Sequence, residues 1–448
     1  MGVKTRQLSN SQFEKLSDTI VEWQSVHVAD GSTALSATAG KGYFIDTTSA
    51  AQTVTFPTSG NTLGDTIILK DYARTFGTNN VTISANNFDG QNGTHLISTS
   101  GQVQIYVYTG TTKGWSLISD DTVQKMGPAY IEATGGTVTT TGNFKVHTFT
   151  GDGCFVVSSL GTGIPSDQAN KVDYLVVAGG AGGGGTGPSH TGAGGGAGGY
   201  RESAGTVHGP YTVSPLGSCV GAMPVTTQTY PITVGGGGAK GGEVPRGGSG
   251  SNSVFSTITS AGGGGGGSIG SPPTPAPRSG GNGGSGGGGS SQTAGTGGSG
   301  NTPPVSPPQG NNGAQGVDAP PDFRGGGGGG ATAAGTQGQN SPFIQGAGGA
   351  GATSCITGSP VTRAGGGGSG GSYATPNPGL PGAGGSGGGG AGGSAPGVAS
   401  RLGGDGTANT GGGGGGAAGG NPATGEGGAR CGGAGGKGIV IIRYKFQG

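Results

Sequence analysis

The stretch Lys171-Val-Asp-Tyr-Leu-Val-Val177 runs directly into Ala178-Gly-Gly-Ala-Gly-Gly-Gly-Gly185, and a second apolar stretch, Gly438-Ile-Val-Ile-Ile-Arg-Tyr-Lys-Phe446, follows the last glycine run. Both apolar stretches have the length and the β-branched content of buried strands. A flexible Gly/Ser linker contains few such residues. The sequence therefore predicts a sheet whose first and last strands enclose the glycine-rich block, within a domain that spans residues 131–448.

The glycines are concentrated in the second part of the chain. Of 118 Gly among 448 residues, 98 follow residue 171, and the chain also contains 26 Pro. Such a content is typical of disorder, but a high net charge keeps disordered tails expanded, and here 21 basic residues face 20 acidic ones. This balance also argues against nucleic-acid binding, which requires a basic surface. Collagen needs Gly at every third position, which the unbroken run Gly262–Gly267 excludes.

Ordered polyglycine requires backbone hydrogen bonds, because glycine has no side chain to bury and loses the most backbone entropy on folding. An extended left-handed helix with three residues per turn directs its N–H and C=O groups outward, and only glycine lets such helices pack closely enough to pair them. We therefore predict a lattice of polyglycine II helices, with Ala197, Ser285 and Ala391 at outward-facing sites and Pro-rich turns projecting from its ends. The predicted helical segments are 179–185, 192–199, 235–242, 280–289, 382–393 and 411–420.

Shorter apolar segments near the glycine runs predict further strands. Lys145–Thr150 and Cys154–Val157, which are separated by Gly-Asp-Gly, predict a β-hairpin. Tyr230–Val234 and Ser253–Thr259 predict strands beside glycine-rich segments.

Residues 1–25 predict a short helix that docks on another structure. Ser11 and Glu14 form a capping-box pattern, and apolar residues at steps of three and four form one stripe. A helix this short is marginally stable alone. We therefore expect the stripe to pack against a partner subunit, the following domain or a larger assembly. The residues of this stripe, which are our candidates for docking, are Phe13, Leu16, Ile20 and Trp23.

Residues 26–130 predict a small β-sandwich or barrel. Apolar and polar residues alternate in short segments, and turn signals such as Asp89-Gly90 and Asn92-Gly93 separate them. Thr and Ser at the alternate positions indicate a solvated outer face. The predicted strands are 53–56, 66–70, 81–84, 103–108 and 115–118.

This β region resembles the small β domains of virion structural proteins in tailed phages. The resemblance implies a domain that attaches the chain to the virion. The segments that carry it are Ala29–Leu35, Tyr43–Ile45, Gly64–Ala73, Asn80–Ile83 and Lys113–Trp115.

Residues 144–446 look like the glycine-rich domain of tailed-phage tail-fibre proteins and adhesins. In adhesins of this kind, polyglycine helices form a sandwich whose distal loops contact the bacterial surface. The longer Pro-rich insertions of this chain depart from that pattern. The matching segments, which occur in the family's order, are Phe149–Val157, Val172–Gly180, Gly194–Arg201, Tyr230–Gly238 and Gly435–Tyr444.

The sequence predicts neither an enzyme nor a protein that needs a metal or cofactor. Its five histidines lack an H-E-x-x-H or triad context, and its four cysteines lack C-x-x-C spacing. No apolar run approaches the roughly 20 residues of a membrane span.

Aromatic and arginine side chains in the glycine-rich part are the candidates for receptor binding. Tyr and Arg are enriched at binding hot spots, and these residues stand in otherwise featureless surroundings. The alternative is that each one fills a gap at the edge of the lattice. The candidates, which we expect to be exposed, are Tyr200, Arg201, Arg278, Phe323, Arg324, Phe343 and Tyr373.

Together with these observations, the two resemblances imply a non-enzymatic tail fibre or adhesin on the surface of a tailed-phage virion. We expect it to bind other virion proteins of the tail, baseplate or capsid and a protein or glycan receptor on the host cell. We also expect a homotrimer, since fibres usually are trimers. Two alternatives stay open: a capsid-decorating head fibre with the same fold, and a free glycine-rich ice-binding or structural protein, which the N-terminal domain disfavours.

Overall fold

The protein is mainly β. The computed structural model describes residues 21–118, 130–161, 170–187, 190–205, 211–217, 220–269, 277–291, 295–318, 323–340, 343–373, 379–394, 401–420 and 430–447, and this part of the chain contains no α-helix. It divides into two compact units. The N-terminal unit extends to Tyr130 and includes Gly161–Pro165; the glycine-rich unit comprises Ile131–Leu160 and Ser166–Gly448.

Ten short strands belong to the N-terminal unit. They are β1 (Glu22–Trp23), β2 (His27–Val28), β3 (Leu35–Ser36), β4 (Lys41–Asp46), β5 (Gln52–Thr55), β6 (Thr66–Asp71), β7 (Val81–Phe88), β8 (Gln91–Ile97), β9 (Val103–Tyr108) and β10 (Trp115–Leu117).

The other strands belong to the glycine-rich unit, together with a 3₁₀ turn at Pro215–Gly217. They are β11 (Glu132–Thr134), β12 (Thr137–Thr141), β13 (Phe144–Phe149), β14 (Gly153–Ser159), β15 (Lys171–Val177), β16 (Tyr200–Glu202), β17 (Met223–Pro224), β18 (Thr229–Thr233), β19 (Ser253–Phe255), β20 (Ile258–Ser260), β21 (Gln339–Asn340), β22 (Phe343–Ile344), β23 (Ala352–Ser354), β24 (Val361–Arg363) and β25 (Ile439–Lys445).

The N-terminal unit is built on one sheet with two parallel ladders. In one ladder β1 and β2 pair with β4, and β4 pairs with β6; in the other, β3 pairs with β5 and β5 with β7. The antiparallel pairs β6–β9 and β9–β10 connect the two ladders, since β10 also pairs with β7. The strands predicted from the alternating segments are present, but alternation alone does not specify whether a partner strand runs parallel or antiparallel.

The inward side chains of this sheet form one core. Ile45, Leu69, Ile83 and Tyr106 are buried in it, and so is the indole of Trp115, whose Nε1–H donates to the carbonyl of Pro57 at 3.2 Å. A buried indole needs such a partner for its single donor.

Most of the predicted N-terminal helix lies outside the described residues. Phe13, Leu16 and Ile20 lie outside the described residues, whereas Trp23, the last residue of the predicted stripe, belongs to β1. The helix prediction was therefore wrong for Trp23. Its ring lies over Gly42 and stacks on Phe44 with 4.4 Å between centroids, a contact between residues far apart in sequence.

The glycine-rich unit contains two larger sheets and the two-stranded pairs β21–β22 and β23–β24. One has the order β11-β14-β18-β19-β20, and the other has the order β12-β13-β25-β15-β16, with β17 also paired to β15. The terminal strand β25 lies between β13 and β15 and is antiparallel to both. The predicted enclosure of the glycine-rich block by its first and last strands is thereby confirmed.

The predicted hairpin between β13 and β14 was wrong. The two strands are consecutive but lie in different sheets, because β25 occupies the place beside β13, and β14 pairs with β11 and β18. The Gly-Asp-Gly segment carries the chain between the sheets, and Asp152 accepts a hydrogen bond from the amide of Val234 at 2.8 Å. The segment predicted as one strand at 253–259 is itself a tight hairpin, with Ser256 at φ 53°.

The sheet that contains β15 and β25 is buried on both faces. Tyr174 and Ile442 pack into a core shared with the five-stranded sheet, whereas Leu175 and Ile441 pack on the opposite face with Ala197 of a glycine run. Burial on both faces explains why these strands are continuous apolar runs instead of alternating ones.

His147 is buried between the two sheets as a neutral ring. Its Nδ1–H donates to the carbonyl of Gly135 at 2.7 Å, which leaves Nε2 to accept from the hydroxyl of Tyr444 at 3.0 Å. Burial is the main cause that lowers the pKa of His147 below 6.5.

We predict that His147 makes the native protein less stable in mild acid. Because the pKa of this ring is lower in the native state, the unfolded chain binds more protons there as the pH drops through 6.5, and the free energy of unfolding falls. Each such proton contributes at most about 1.4 kcal/mol per pH unit. Chemical denaturation of the full chain and of His147→Gln measures the free energy of unfolding at each pH. The slope of this free energy against pH is expected to be smaller in the variant, and equal slopes would refute a neutral buried ring.

Candidate functional site: the glycine core and its far end

The glycine core consists of the glycine-rich segments that follow the strands of the second unit and bond to one another through their backbones. The run Gly179–Gly184 shows its construction. These residues belong to no helix or strand, yet each N–H and each C=O pairs with another segment, at 2.8–3.0 Å. Amides three residues apart bond to the same neighbouring segment. The amide of Gly179 bonds to segment 247–251, and so does the amide of Gly182.

The same run is surrounded on all sides. Its amides alternate among three segments, and its carbonyls accept from three others with the same three-residue repeat. The interior runs 192–198 and 365–371 are surrounded in the same way. The neighbours of Gly179–Gly184 are the segments 192–199, 235–242, 247–251, 261–267, 411–418 and 433–436.

The spacing between these segments excludes side chains at most positions. A Cβ atom at Gly183 would overlap the carbonyl oxygen of Gly415, and one at Gly413 would overlap that of Gly195. The neighbour in each case is backbone, which cannot rotate away as a flexible side chain can. The high glycine content is thus a steric requirement of direct backbone pairing between adjacent segments.

The few larger residues in the core do not follow the expectation that they face outward. Ala391 is exposed as predicted, but Ala197 and Ser285 have no accessible surface, so the prediction was wrong for those two. Ala197 packs in the apolar cluster on the sheet that contains β15, and Ser285 donates its amide to the carbonyl of Ala197 at 3.1 Å.

One end of the glycine core, which we call the sheet end, joins the strands. Where the backbone-to-backbone pairing of the glycine segments ends, side chains form hydrogen bonds with the backbone N–H and C=O groups instead. The Ser253 hydroxyl donates to the carbonyl of Val177 at 2.8 Å and accepts from the amide of Gly235 at 2.9 Å. The Gln309 side-chain oxygen accepts from the amide of Ala261 at 2.8 Å. These polar residues were not singled out from the sequence, because Ser and Gln are common in loops.

Tyr200 and Arg201 lie at the sheet end. Tyr200 is buried, and its hydroxyl donates to the buried carboxyl of Glu202 at 3.0 Å. Ser214 and Ser354 also donate to that carboxyl, whose pKa is raised by burial. The expectation that Tyr200 is exposed was therefore wrong: it supports a buried polar cluster. Arg201 is half-buried.

The opposite end, which we call the far end, contains the other five receptor-binding candidates. Isolated bridges join its segments, among them Thr186 with Ile269 and with Arg430, and Val317 with Arg324. The candidates located there are Arg278, Phe323, Arg324, Phe343 and Tyr373.

Phe323 and Phe343 belong to one connected group at the far end. The ring of Phe323 lies 4.7 Å from that of His190, and the side-chain amide of Gln345 donates to the carbonyl of Phe323 at 3.2 Å. The amide of Leu380 donates to the carbonyl of Phe343 at 3.1 Å, and the Leu380 side chain is 59% exposed. Leu380 was missed because a single Leu in a Gly/Pro segment carries no periodic signal.

The other far-end candidates differ in exposure. Arg278, Phe323, Phe343 and Tyr373 are half-buried. Arg324 is buried and donates to the carbonyl of Gly338 at 3.4 Å, so the expectation that it is exposed was wrong. Burial of its alkyl stem against Gly338 shows a packing role for this side chain.

The described residues contain neither a membrane-spanning helix nor a metal-binding group of side chains. No helix in this part of the chain is long and apolar enough to cross a bilayer. Within the same residues, no group of three or more His, Cys, Asp or Glu side chains is placed to hold a metal ion.

The glycine core predicts opposite effects for two alanine substitutions in one run. Gly238 is buried and a Cβ there would overlap the carbonyl of Gly248, whereas Gly236 is exposed with no atom within 4 Å of the added carbon. Gly238→Ala should lower the free energy of unfolding by about 1–3 kcal/mol or more. Gly236→Ala should leave it unchanged or raise it by up to about 1 kcal/mol. Equal denaturant midpoints for the two variants would contradict the packing described.

The comparisons with known proteins concern the second unit. Residues 156–445 match the family described as "Glycine-rich domain". The chain matched no curated protein.

Proposed function

The chain belongs to the glycine-rich domain family, and from this premise we propose that it is a non-enzymatic tail fibre or adhesin on the surface of a tailed-phage virion. In this proposal the N-terminal part docks on other virion proteins of the tail, baseplate or capsid. The far end of the glycine core contacts a protein or glycan receptor on the host cell. The observation that carries the proposal is the backbone-bonded glycine core with aromatic side chains grouped at the end away from its sheets.

We propose further that the glycine core is a lattice of polyglycine II helices. Such a helix has three residues per turn and no internal hydrogen bonds, and the three-residue repeat of bonds to six neighbours around Gly179–Gly184 supports this assignment. A lattice bonded in every lateral direction is stiff, because no segment can shift without breaking bonds to several others. A stiff base suits a protein that must hold loops at a distance from a virion.

The composition of the far end supports a role in recognition. Phe323, Phe343 and Leu380 are partly or largely exposed there, in a chain with 9% charged residues. Aromatic side chains supply large contact areas with little entropy loss. They suit either sugar rings or protein surfaces.

We propose a homotrimer as the functional assembly, and no cofactor takes part.

Host-cell binding is the direct test of this function. Labelled full-length protein should bind cells of a bacterium that supports a phage carrying this chain, and it should compete with adsorption of that phage. Leu380→Asp should weaken the competition by at least about tenfold, the effect of losing one hot-spot side chain. Val138→Asp is the matched control, because Val138 is also exposed, at 46%, but lies on β12 and not at the far end.

The outcomes separate the proposed function from its alternatives. Wild-type protein that neither binds host cells nor reduces adsorption would contradict the adhesin. Equal loss in both variants would contradict recognition by the far end. Imaging of particles with the chain labelled then distinguishes the two virion sites: label on the tail supports the proposal, and label on the head replaces it with a capsid-decorating fibre.

A further inference from the structure

The outer face of the N-terminal sheet carries an apolar row across four strands and the residue that follows a fifth strand. Trp23 of β1 pairs with Gly42 of β4, Gly42 with Ile68 of β6, and Ile68 with Ile105 of β9. The amide of Ile118, directly after β10, donates to the carbonyl of Ile105 at 2.9 Å and continues the row. Residues between these positions, such as Ile67 and Tyr106, point to the core, so the row lies on the opposite face.

Two neighbouring rows extend this face. Side chains two residues apart on a strand share a face, so the positions that follow Gly42 and Ile68 by two and by four lie beside the first row. One row contains Phe44, Lys70 and Val103, and the next contains Val28, Asp46 and Tyr72. We call these three rows the outer face.

The outer face is apolar and accessible. The Trp23 ring stacks on Phe44, whose ring contacts Tyr72 edge-on at 6.3 Å. Val28 is 60% exposed, and Tyr72 and Ile118 are each 57% exposed. Isolated exposed apolar residues are normal, but a contiguous patch of this kind marks an interaction surface.

Charge indicates what covers the outer face. Its three rows contain one cation, Lys70, and one anion, Asp46, on adjacent strands β4 and β6. Hydrogen bonds from Thr48 lower the pKa of Asp46, so the carboxylate is charged at neutral pH. A face with one charge of each sign is complementary to itself, because a second copy can place its Asp46 opposite Lys70 and its Lys70 opposite Asp46.

The size of the face agrees with a reversible contact. The three rows contain eleven positions, and each covers roughly 4.8 Å by 6.6 Å of the sheet, so the outer face is on the order of 350 Å² in projection. A standard stable interface buries about 800 Å² per partner. The outer face alone is thus large enough for association that depends on concentration, but not for an obligate contact.

We propose that copies of this chain associate through the outer face of the N-terminal sheet, with apolar rows packed against each other and Lys70 of one copy paired with Asp46 of another. Because both copies use the same face, this contact joins two copies about a two-fold axis, and it is additional to the homotrimer of the proposed function. Self-association through the outer face does not depend on host recognition, because the molar mass can be measured without host cells.

The test compares the molar mass of the full chain with that of surface variants by sedimentation and light scattering at about 1–100 μM, the range in which a sub-standard interface should dissociate. The mass of the wild-type protein should fall by half on dilution, as contacts between pairs of 42.1 kDa chains dissociate. Ile118→Lys should raise the dissociation constant at least tenfold. Leu96→Lys is the control, because Leu96 is 45% exposed on β8, away from the outer face.

A charge exchange tests the pairing itself. Lys70→Glu should weaken association, and Lys70→Glu combined with Asp46→Lys should restore it, while thermal melting of each variant confirms that it folds. A chain that stays monomeric at 100 μM overturns the proposal and leaves the face to another virion protein. An assembly that Ile118→Lys and Leu96→Lys weaken equally, or a double variant no better than Lys70→Glu alone, overturns it as well.

Discussion

Hydrogen bonds between backbones, made without any intervening side chain, determine the architecture of the glycine-rich unit. Gly179–Gly184 bonds to six segments that lie between residues 192 and 436 of the sequence. Each such bond contributes little net free energy, because it replaces a bond to water, and each glycine that is ordered costs about 1–2 kcal/mol of backbone entropy. Order therefore requires nearly complete pairing, and a Cβ that separates two segments removes several bonds together.

The β-sheets determine where this pairing begins. β15 and β25 hold their apolar side chains in two cores at once, and each strand continues into or out of a glycine segment. Val177 and Ile439 are paired at the last register of that ladder, so Ala178 and Gly438 enter the glycine core from adjacent positions. The hydrophobic effect thus aligns a few segments, and backbone bonding extends that alignment to segments that have no apolar side chains of their own.

The sequence predicts which segments form strands and backbone-bonded glycine runs better than it predicts which segments pair with each other. Continuous apolar runs identify β15 and β25, and the glycine runs identify the backbone-bonded segments, because both signals are local. The hairpin prediction at Cys154 was wrong because the true partner of β13 lies some 300 residues later in the chain, at β25. The burial of Tyr200 could not be predicted, because its partner Glu202 joins Ser214 and Ser354 in one cluster only in three dimensions. The far-end grouping of Phe323, Phe343 and Leu380 depends in the same way on which glycine segments are neighbours.

Hydrogen exchange of backbone amides in the full chain tests the central claim most directly. Segments 179–184 and 411–418 lie in the interior of the glycine core and contain almost no side chains that could protect them by burial. Mass spectrometry of peptic fragments should show their amides exchanging at least about 1000-fold more slowly than in an unstructured peptide, together with those of β15 and β25, as expected for one cooperative unit. Exchange of both segments at unstructured rates while β15 and β25 remain protected would contradict a glycine core held by its own backbone.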